Sequence, residues 1–337
     1  MSGMSSCSSQ DTAVALAYLR HAQTLLAMNQ TRCATALLEQ ATAWLQARFA
    51  EAPLHLPCRC WSVGVGLDTG QRSVNEDYPF AVTFDMPDVR QVQSQERTTV
   101  GIFAVADGMG GHAHGDVAAT CAVHTFIETL LPRLLECRAT VFHELRTLLT
   151  EGVQAANRAV YARNRQAGAD GRKLMGTTLT TALCVGSLAL IANVGDSRTY
   201  LFRQGVLAQL SSDHSYVFDQ VAAGRLAPDQ LYTHPRRNEI YRCLGETEEV
   251  AVDLFRRQLL AGDCLLLCSD GLWEMVPDPS QLAAVLASPQ LSPAQMAQRL
   301  IQLALAGGGR DNIGLIVARY QPDPCGNECV PGAAPHP

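Results

Sequence analysis

Short apolar runs that stop at an aspartate constrain this chain more than any other feature. Val100-Gly-Ile-Phe-Ala-Val-Ala106 leads into Asp107-Gly108-Met109-Gly110-Gly111-His112, and Leu265-Leu-Leu-Cys-Ser269 leads into Asp270-Gly271. Ala192-Asn-Val-Gly195 before Asp196-Ser197-Arg198 is a close variant. A buried strand ending in a carboxylate delivers that charge rigidly to a sheet edge, and the glycine lets backbone or ligand come close. Several such ends in one chain point to a carboxylate cluster. Such a cluster needs neutralising, and a hard divalent metal is the usual agent.

With 337 residues, 47% hydrophobic and 17% charged, the chain can build an extensive core without disulfides. A net charge of −6 argues against a general nucleic-acid binder, which needs a basic stripe. No apolar run approaches the ~20 residues that span a bilayer. Met1-Ser-Gly-Met-Ser-Ser-Cys7 lacks the basic start and apolar stretch of a signal peptide, so a cytoplasmic protein with no membrane partner is expected. Of the 12 cysteines, Cys121, Cys184, Cys243, Cys264 and Cys268 lie in apolar stretches and read as small core residues. Cys58-Arg-Cys60 and Cys325-Gly-Asn-Glu-Cys329 flank the main body with spacings unlike the usual zinc pair, and free thiols are expected there.

Periodicity divides the chain. Residues 11–49 read as two helices with a turn and N-cap near Met28-Asn29-Gln30-Thr31, ended by Pro53 and Pro57. They suggest an N-terminal helical hairpin over 1–57, packed on the main domain or on a partner. From Trp61, β-like runs fall at 61–67, 100–106, 177–185, 188–194, 198–203, 263–269 and 313–320. Helical stretches fall at 115–136 and 140–166, with shorter ones near 214–225 and 279–306. Strand runs alternating with helix pairs favour α+β layers over a doubly wound parallel sheet. The Pro- and Gly-rich tail, 321–337, has little to bury and is expected to be disordered.

Five segments carry the chemistry: Gly70-Gln71-Arg72-Ser73-Val74-Asn75-Glu76-Asp77, Asp107 to His112, Gly176-Thr177-Thr178 with Val194 to Arg198, Ser269-Asp270-Gly271-Leu272-Trp273, and Gly309-Arg310-Asp311-Asn312. In this order they resemble the metal-dependent type-2C protein serine/threonine phosphatases in their bacterial form, over about 61–320. The stretch from Asp213-His214-Ser215 through His234-Pro235-Arg236-Arg237-Asn238 to Leu244-Gly245 is similar to that family's mobile flap.

The resemblance implies a central β-sandwich of two antiparallel sheets with helices on both outer faces (α-β-β-α layers), and a catalytic domain at 58–320. Carried over residue by residue, Asp107 bridges two Mn2+ or Mg2+ ions. Asp270 and Asp311 complete one ion's protein ligands, and Asp77 and the Gly108 carbonyl serve the other. Asp196 matches the aspartate that, with the counterpart of Asp270, holds a third, weaker ion in many members. Arg72 matches the arginine that grips substrate phosphate.

The implied activity is hydrolysis of phosphoserine and phosphothreonine in proteins by metal-activated water. Its substrates would be those of a serine/threonine kinase. Aspartates suit the task because these ions prefer oxygen ligands and keep several waters. Two ions offset the phosphate charge and lower the pKa of a bridging water. A planar guanidinium clamps phosphate oxygens.

Other residues stay open. Asp196 has an alternative as a turn residue pairing with Arg198. Glu76, next to a proposed ligand, is expected to point elsewhere than Asp77 if the segment is extended, with a structural or supporting role. His112 is a candidate general acid, with His114 next. The bacterial pattern places Met109 where the animal enzymes have a histidine, so a metal-bound water competes for the role. His214 and His234 are expected to pack or hydrogen-bond within the flap. Two other functions fit the fold: a non-catalytic phosphoprotein-binding scaffold, marked by loss of metal aspartates that are all present here, and a hydrolase for a small phosphorylated metabolite.

Overall fold

Burial with a period of two along the central strands decides the architecture. In β3 (Arg97–Met109), Ile102, Ala104 and Ala106 enter one core while Phe103 and Val105 enter another. In β11 (Ile313–Tyr320), Ile313, Leu315 and Val317 face one side and Ile316, Ala318 and Tyr320 the other. Strands buried on both faces lie in layers covered twice, so the protein needs three cores. In the computed structural model, which describes residues 60–87, 97–109, 114–136, 142–169 and 174–321, those three cores are present.

The middle core joins two sheets. One runs in the order β1 (Trp61–Asp68), β11, β10 (Cys264–Cys268), β7 (Arg198–Arg203), β8 (Val206–Gln209). The other runs β2 (Asp77–Pro87), β3, β5 (Leu179–Val185), β6 (Leu188–Val194), β9 (Asp253–Gln258), with the two-residue β4 (Gly176–Thr177) paired to the end of β3. Every pairing is antiparallel. Helices α1 (Gly115–Glu136) and α2 (Phe142–Ala169) cover the second sheet through Phe126, Leu130, Leu149 and Val153. The first sheet is covered by α3 (Tyr216–Ala222), α4 (Asp270–Trp273), α5 (Pro279–Leu286) and α6 (Pro293–Ala306) through Val217, Leu272, Leu282 and Leu300. The expected α+β sandwich is therefore the fold.

Three strands escape the periodic reading, and each lies at a sheet edge. β2 contains Pro79, whose missing N–H is tolerable only where one side of the ladder is free. β8 is four residues long, and β9 carries Arg256 and Arg257, both common ways of blunting an edge. The helical region near 279–306 divides in two. Pro293 disfavours a helical residue before it, and Ser292 caps the new start by accepting the Gln295 N–H at 3.3 Å. Cys121, Cys184, Cys264 and Cys268 are buried as expected, whereas Cys243 is only half-buried at the end of the flap. The expected hairpin over 1–57, residues 322–337 of the expected tail, His112, Cys58, Cys325 and Cys329 lie outside the described residues.

Candidate metal centre

Antiparallel pairing brings six chain ends to one edge of the sandwich. Asp77 opens β2 directly opposite Asp107 near the end of β3. β1 ends at Asp68, paired with Ile313 where β11 begins, two residues after Asp311. β10 ends two residues before Asp270, and β6 two residues before Asp196. These ends surround a cleft of about 710 Å³ lined by Arg72, Glu76, Asp107, Gly108, Asp196, Asp270 and Asp311, with Asn238 and Ile240 of the flap on its far wall.

Two glycines allow the approach. A Cβ on Gly108 would collide with the Gly115 carbonyl and stand 2.8 Å from the Glu76 carbonyl oxygen; one on Gly271 would collide with the Asn312 carbonyl. The Asp-Gly pairs are thus packing requirements of the strand ends.

The electrostatics are one-sided. Burial, reinforced by Asp77, Asp270, Asp196 and Asp311, holds the Asp107 carboxyl well above the ordinary aspartate range. Asp270 is held well above it by burial and then by Asp196, Asp311 and Glu274. Burial pushes Asp77 up to about 7, although Ser269 Oγ donates to its Oδ2 at 2.6 Å. Asp196 is pushed to about 7 by burial and by Asp213. Carboxylates crowded out of water in this way are unstable as anions without cationic charge.

The donors are all oxygen: aspartate carboxylates and the Gly108 carbonyl. Among the described residues, no three carboxylate, imidazole or thiol groups close around a single point. Hard divalent ions keep several waters, so some of the three carboxylates expected for one ion would reach it through a bound water. The residues present therefore fit Mn2+ or Mg2+.

The structure brings Arg72, Asp107, Gly108, Asp196, Asp270 and Asp311 to the cleft. Asp77 lies beneath it, 4% exposed. Arg72 stands at the rim, its Nη2 donating to Asp311 Oδ2 at 2.7 Å, and this pairing raises the guanidinium pKa.

Glu76 lines the cleft and accepts the Gly115 N–H at 3.2 Å, while its own backbone carbonyl accepts the Gly108 N–H at 3.0 Å. At a strand start on the site edge, the opposite side of the chain is also site. Asn312, quoted in the last of the five segments but given no role there, takes the Glu76 N–H at 2.8 Å on its side chain and donates to the carbonyls of Thr69 and Val74. It holds the loop that carries Arg72.

Arg198 does not pair with Asp196. Its Nη2 donates to Asp213 Oδ2 at 2.6 Å and its Nη1 to Tyr200 Oη at 3.0 Å, and its guanidinium lies 3.6 Å over the Trp273 ring. Trp273 Nε1 in turn donates to the Asp196 carbonyl at 3.1 Å. The pair is buried, so Asp213→Ala would strand a charge. It is expected to cost about 3–5 kcal/mol in a urea unfolding experiment. A loss below about 1 kcal/mol would show that the arginine finds other partners.

Comparison with known proteins agrees with this geometry. The family profile described as Protein phosphatase 2C matches residues 89–303. The serine/threonine protein phosphatase PstP of Mycobacterium tuberculosis is 40% identical over 218 residues, 64% of this chain but only 40% of that relative's length. The serine/threonine phosphatase stp of Listeria monocytogenes is 38% identical over 218 residues, 64% of this chain and 83% of the relative. The catalytic domain of PstP, solved in complex with two manganese ions, superposes with a TM-score of 0.62 at 34% identity, covering 78% of this chain and 99% of that one. The carboxylate-lined strand ends and these matches lead to one conclusion: the chain belongs to the protein phosphatase 2C family.

Proposed function

We propose that this protein removes phosphate from phosphoserine and phosphothreonine side chains of proteins, at a centre of two divalent ions with a weaker third. The observation that carries this reading is the cleft itself, with self-repelling buried aspartates on the floor and one arginine on the rim. Asp107, Asp270, Asp311, Asp77 and the Gly108 carbonyl would hold the two main ions. Asp196 stands with Asp270 for the third. When bound, the ions supply positive charge for the phosphate oxygens and a nucleophilic water at neutral pH.

Arg72 orients the phosphate through charge-assisted hydrogen bonds from the rim, and the Asn312-held loop fixes where that guanidinium starts. Asn238 and Ile240 close the side of the cleft against which the peptide around the phosphoresidue would lie. Residues 58–320 are assigned to the catalytic domain, and residues 1–57 to an extension that serves this domain or a partner. The substrates are proteins phosphorylated by a serine/threonine kinase, and the site of action is the cytoplasm. Among the described residues no helix is long and apolar enough to cross a membrane. A non-catalytic scaffold reading loses support from the presence of every metal-site aspartate.

The test is hydrolysis of a phosphothreonine peptide by metal-stripped protein, with and without Mn2+, beside Asp107→Ala. Turnover that requires Mn2+ and collapses in the variant supports the reading. Stoichiometric Mn2+ binding without turnover would turn it toward a binding module.

Arg72→Ala is expected to lower kcat/KM for the same peptide about 10- to 100-fold, the value of a charge-assisted contact of about 1.5–3 kcal/mol. The melting temperature should stay unchanged, because the Arg72–Asp311 pair is exposed. An unaltered kcat/KM would remove Arg72 from phosphate binding.

A further inference from the structure

We propose that His214 is a positioning residue that ties the flap to the Gly195–Asp196 turn, so that the far wall of the cleft and the Asp196 carboxylate are set together. This deepens the phosphatase reading and rests on it for the roles of Asp196 and the cleft.

The tie is visible bond by bond. The His214 backbone N–H donates to the Gly195 carbonyl at 3.0 Å, and the Gly195 N–H donates back to His214 Nδ1 at 3.0 Å. The two residues close a ring of two hydrogen bonds immediately before Asp196. Asn193 Nδ2 donates to the Gly195 carbonyl at 3.1 Å and to the Ser212 carbonyl at 3.0 Å, drawing the same two segments together. On the flap side, the Tyr241 N–H donates to the His214 carbonyl at 3.0 Å. Ser215 bridges to Ile240, and the Tyr216 N–H donates to the Glu239 carbonyl at 2.9 Å. The returning arm that carries Asn238 and Ile240 to the cleft therefore hangs on His214 and its two followers.

The ring fixes its own tautomer. A backbone N–H can donate only to an unprotonated Nδ1, so the neutral imidazole carries its proton on Nε2. The Nε2–H faces Asp253 Oδ2 at 3.2 Å, and Arg242 Nη1 donates to Asp253 Oδ1 at 2.9 Å; Arg242 Nη1 also lies 2.8 Å from Nε2, where two donors meet and no hydrogen bond forms. Asp253 thus gathers the ring and the flap's Arg242 onto the first residue of β9. With the side chain 3% exposed, water cannot substitute for either ring contact. An imidazole offers two polar atoms on opposite sides, which no aliphatic side chain matches at this place.

The two ring atoms separate the two halves of the role, and substitutions can do the same. His214→Ala removes both contacts. His214→Asn keeps an acceptor oxygen near the place of Nδ1 but reaches neither Asp253 nor Arg242. Amide exchange of Gly195 is measured in metal-free protein, Mn2+ binding by calorimetry, and KM for a phosphothreonine peptide beside KM for p-nitrophenyl phosphate, which is too small to lie along the flap.

For His214→Ala we expect Gly195 exchange about 100-fold faster, weaker binding of the last Mn2+ ion, and a peptide KM about tenfold higher, with a smaller change for the aryl phosphate. His214→Asn should restore Gly195 protection and Mn2+ binding but leave the peptide KM high. If His214→Ala fails to fold, Asp253→Ala removes the flap contact from a half-exposed position, and it should raise peptide KM while leaving Gly195 protected.

A lowered melting temperature with Gly195 exchange, Mn2+ binding and both KM values unaltered overturns the tie, as does an unchanged peptide KM in Asp253→Ala. Turnover missing from the unsubstituted protein counts against the phosphatase reading alone, and the exchange data still decide the tie.

Discussion

Asp107→Asn is expected to abolish turnover and at the same time to make the metal-free protein more stable. Asp107 stands opposite Asp77 in the β2–β3 register and is repelled by Asp77, Asp270, Asp196 and Asp311. An amide is nearly isosteric and cannot be charged, so it removes the repulsion without opening a cavity. Burial and these carboxylates hold Asp107 well above the ordinary range, so the folded protein either keeps a proton there or bears the repulsion, and the amide escapes both. A gain of about 1–3 kcal/mol, the size of an unmet buried polar group's penalty, is expected in urea unfolding. Turnover should fall by at least about 10³-fold, since the bridging ligand supports the several kcal/mol of charge stabilisation that the ions supply. A variant as active as the parent would remove Asp107 from the centre. A variant less stable than the metal-free parent would mean that Asp107 makes a structural contact stronger than the repulsion it suffers.

Much of this centre was legible because the information is local. A strand that must be apolar on both faces and then stops at an aspartate announces where its carboxylate goes, and Asp107, Asp196 and Asp270 reach the edge that their runs imply, whereas Asp311, which follows no apolar run, was placed by the resemblance alone. What local pattern cannot supply is the choice among partners brought together by the fold. Arg198 is two residues from Asp196 but chooses Asp213, which returns along the far side of the β7–β8 hairpin. Ser269 appears in sequence as the end of a strand, yet its hydroxyl serves Asp77, 192 residues away. Glu76 braces the Gly108 and Gly115 backbone beside the cleft, yet alternation did not reveal that it would line the cleft, because that rule treats the two sides of a strand as core and solvent and at the site edge both are occupied. β2 went unread because Pro79 reads as a breaker unless its edge position is already known.

Removing metal should make stability fall as pH rises, the reverse of ordinary acid denaturation. Asp77 and Asp196 are raised to about 7 in the folded protein, and Asp107 and Asp270 are held well above the ordinary aspartate range. Between the ordinary aspartate value and these raised values, the folded protein binds more protons than the unfolded chain. Stability then changes with pH in the negative direction. The contribution of these groups is fully present below about pH 4 and is lost as pH climbs through about 7. Each extra proton costs about 1.4 kcal/mol per pH unit over that window.

Metal acts in the opposite sense, because carboxylate ligands bind it only when deprotonated. At a hundredfold excess over Kd, an ion adds about 2.7 kcal/mol. Melting curves from pH 4.5 to 7.5 should therefore show the metal-free protein losing on the order of 10 °C while the Mn2+-loaded protein holds level or gains. Asp107→Asn supplies the internal control: with one repelling carboxyl gone, its metal-free curve should be distinctly flatter than the parent's. Parallel curves for the two proteins would mean that some other group carries the pH dependence and that the aspartates at this edge are not crowded enough to hold protons at neutral pH.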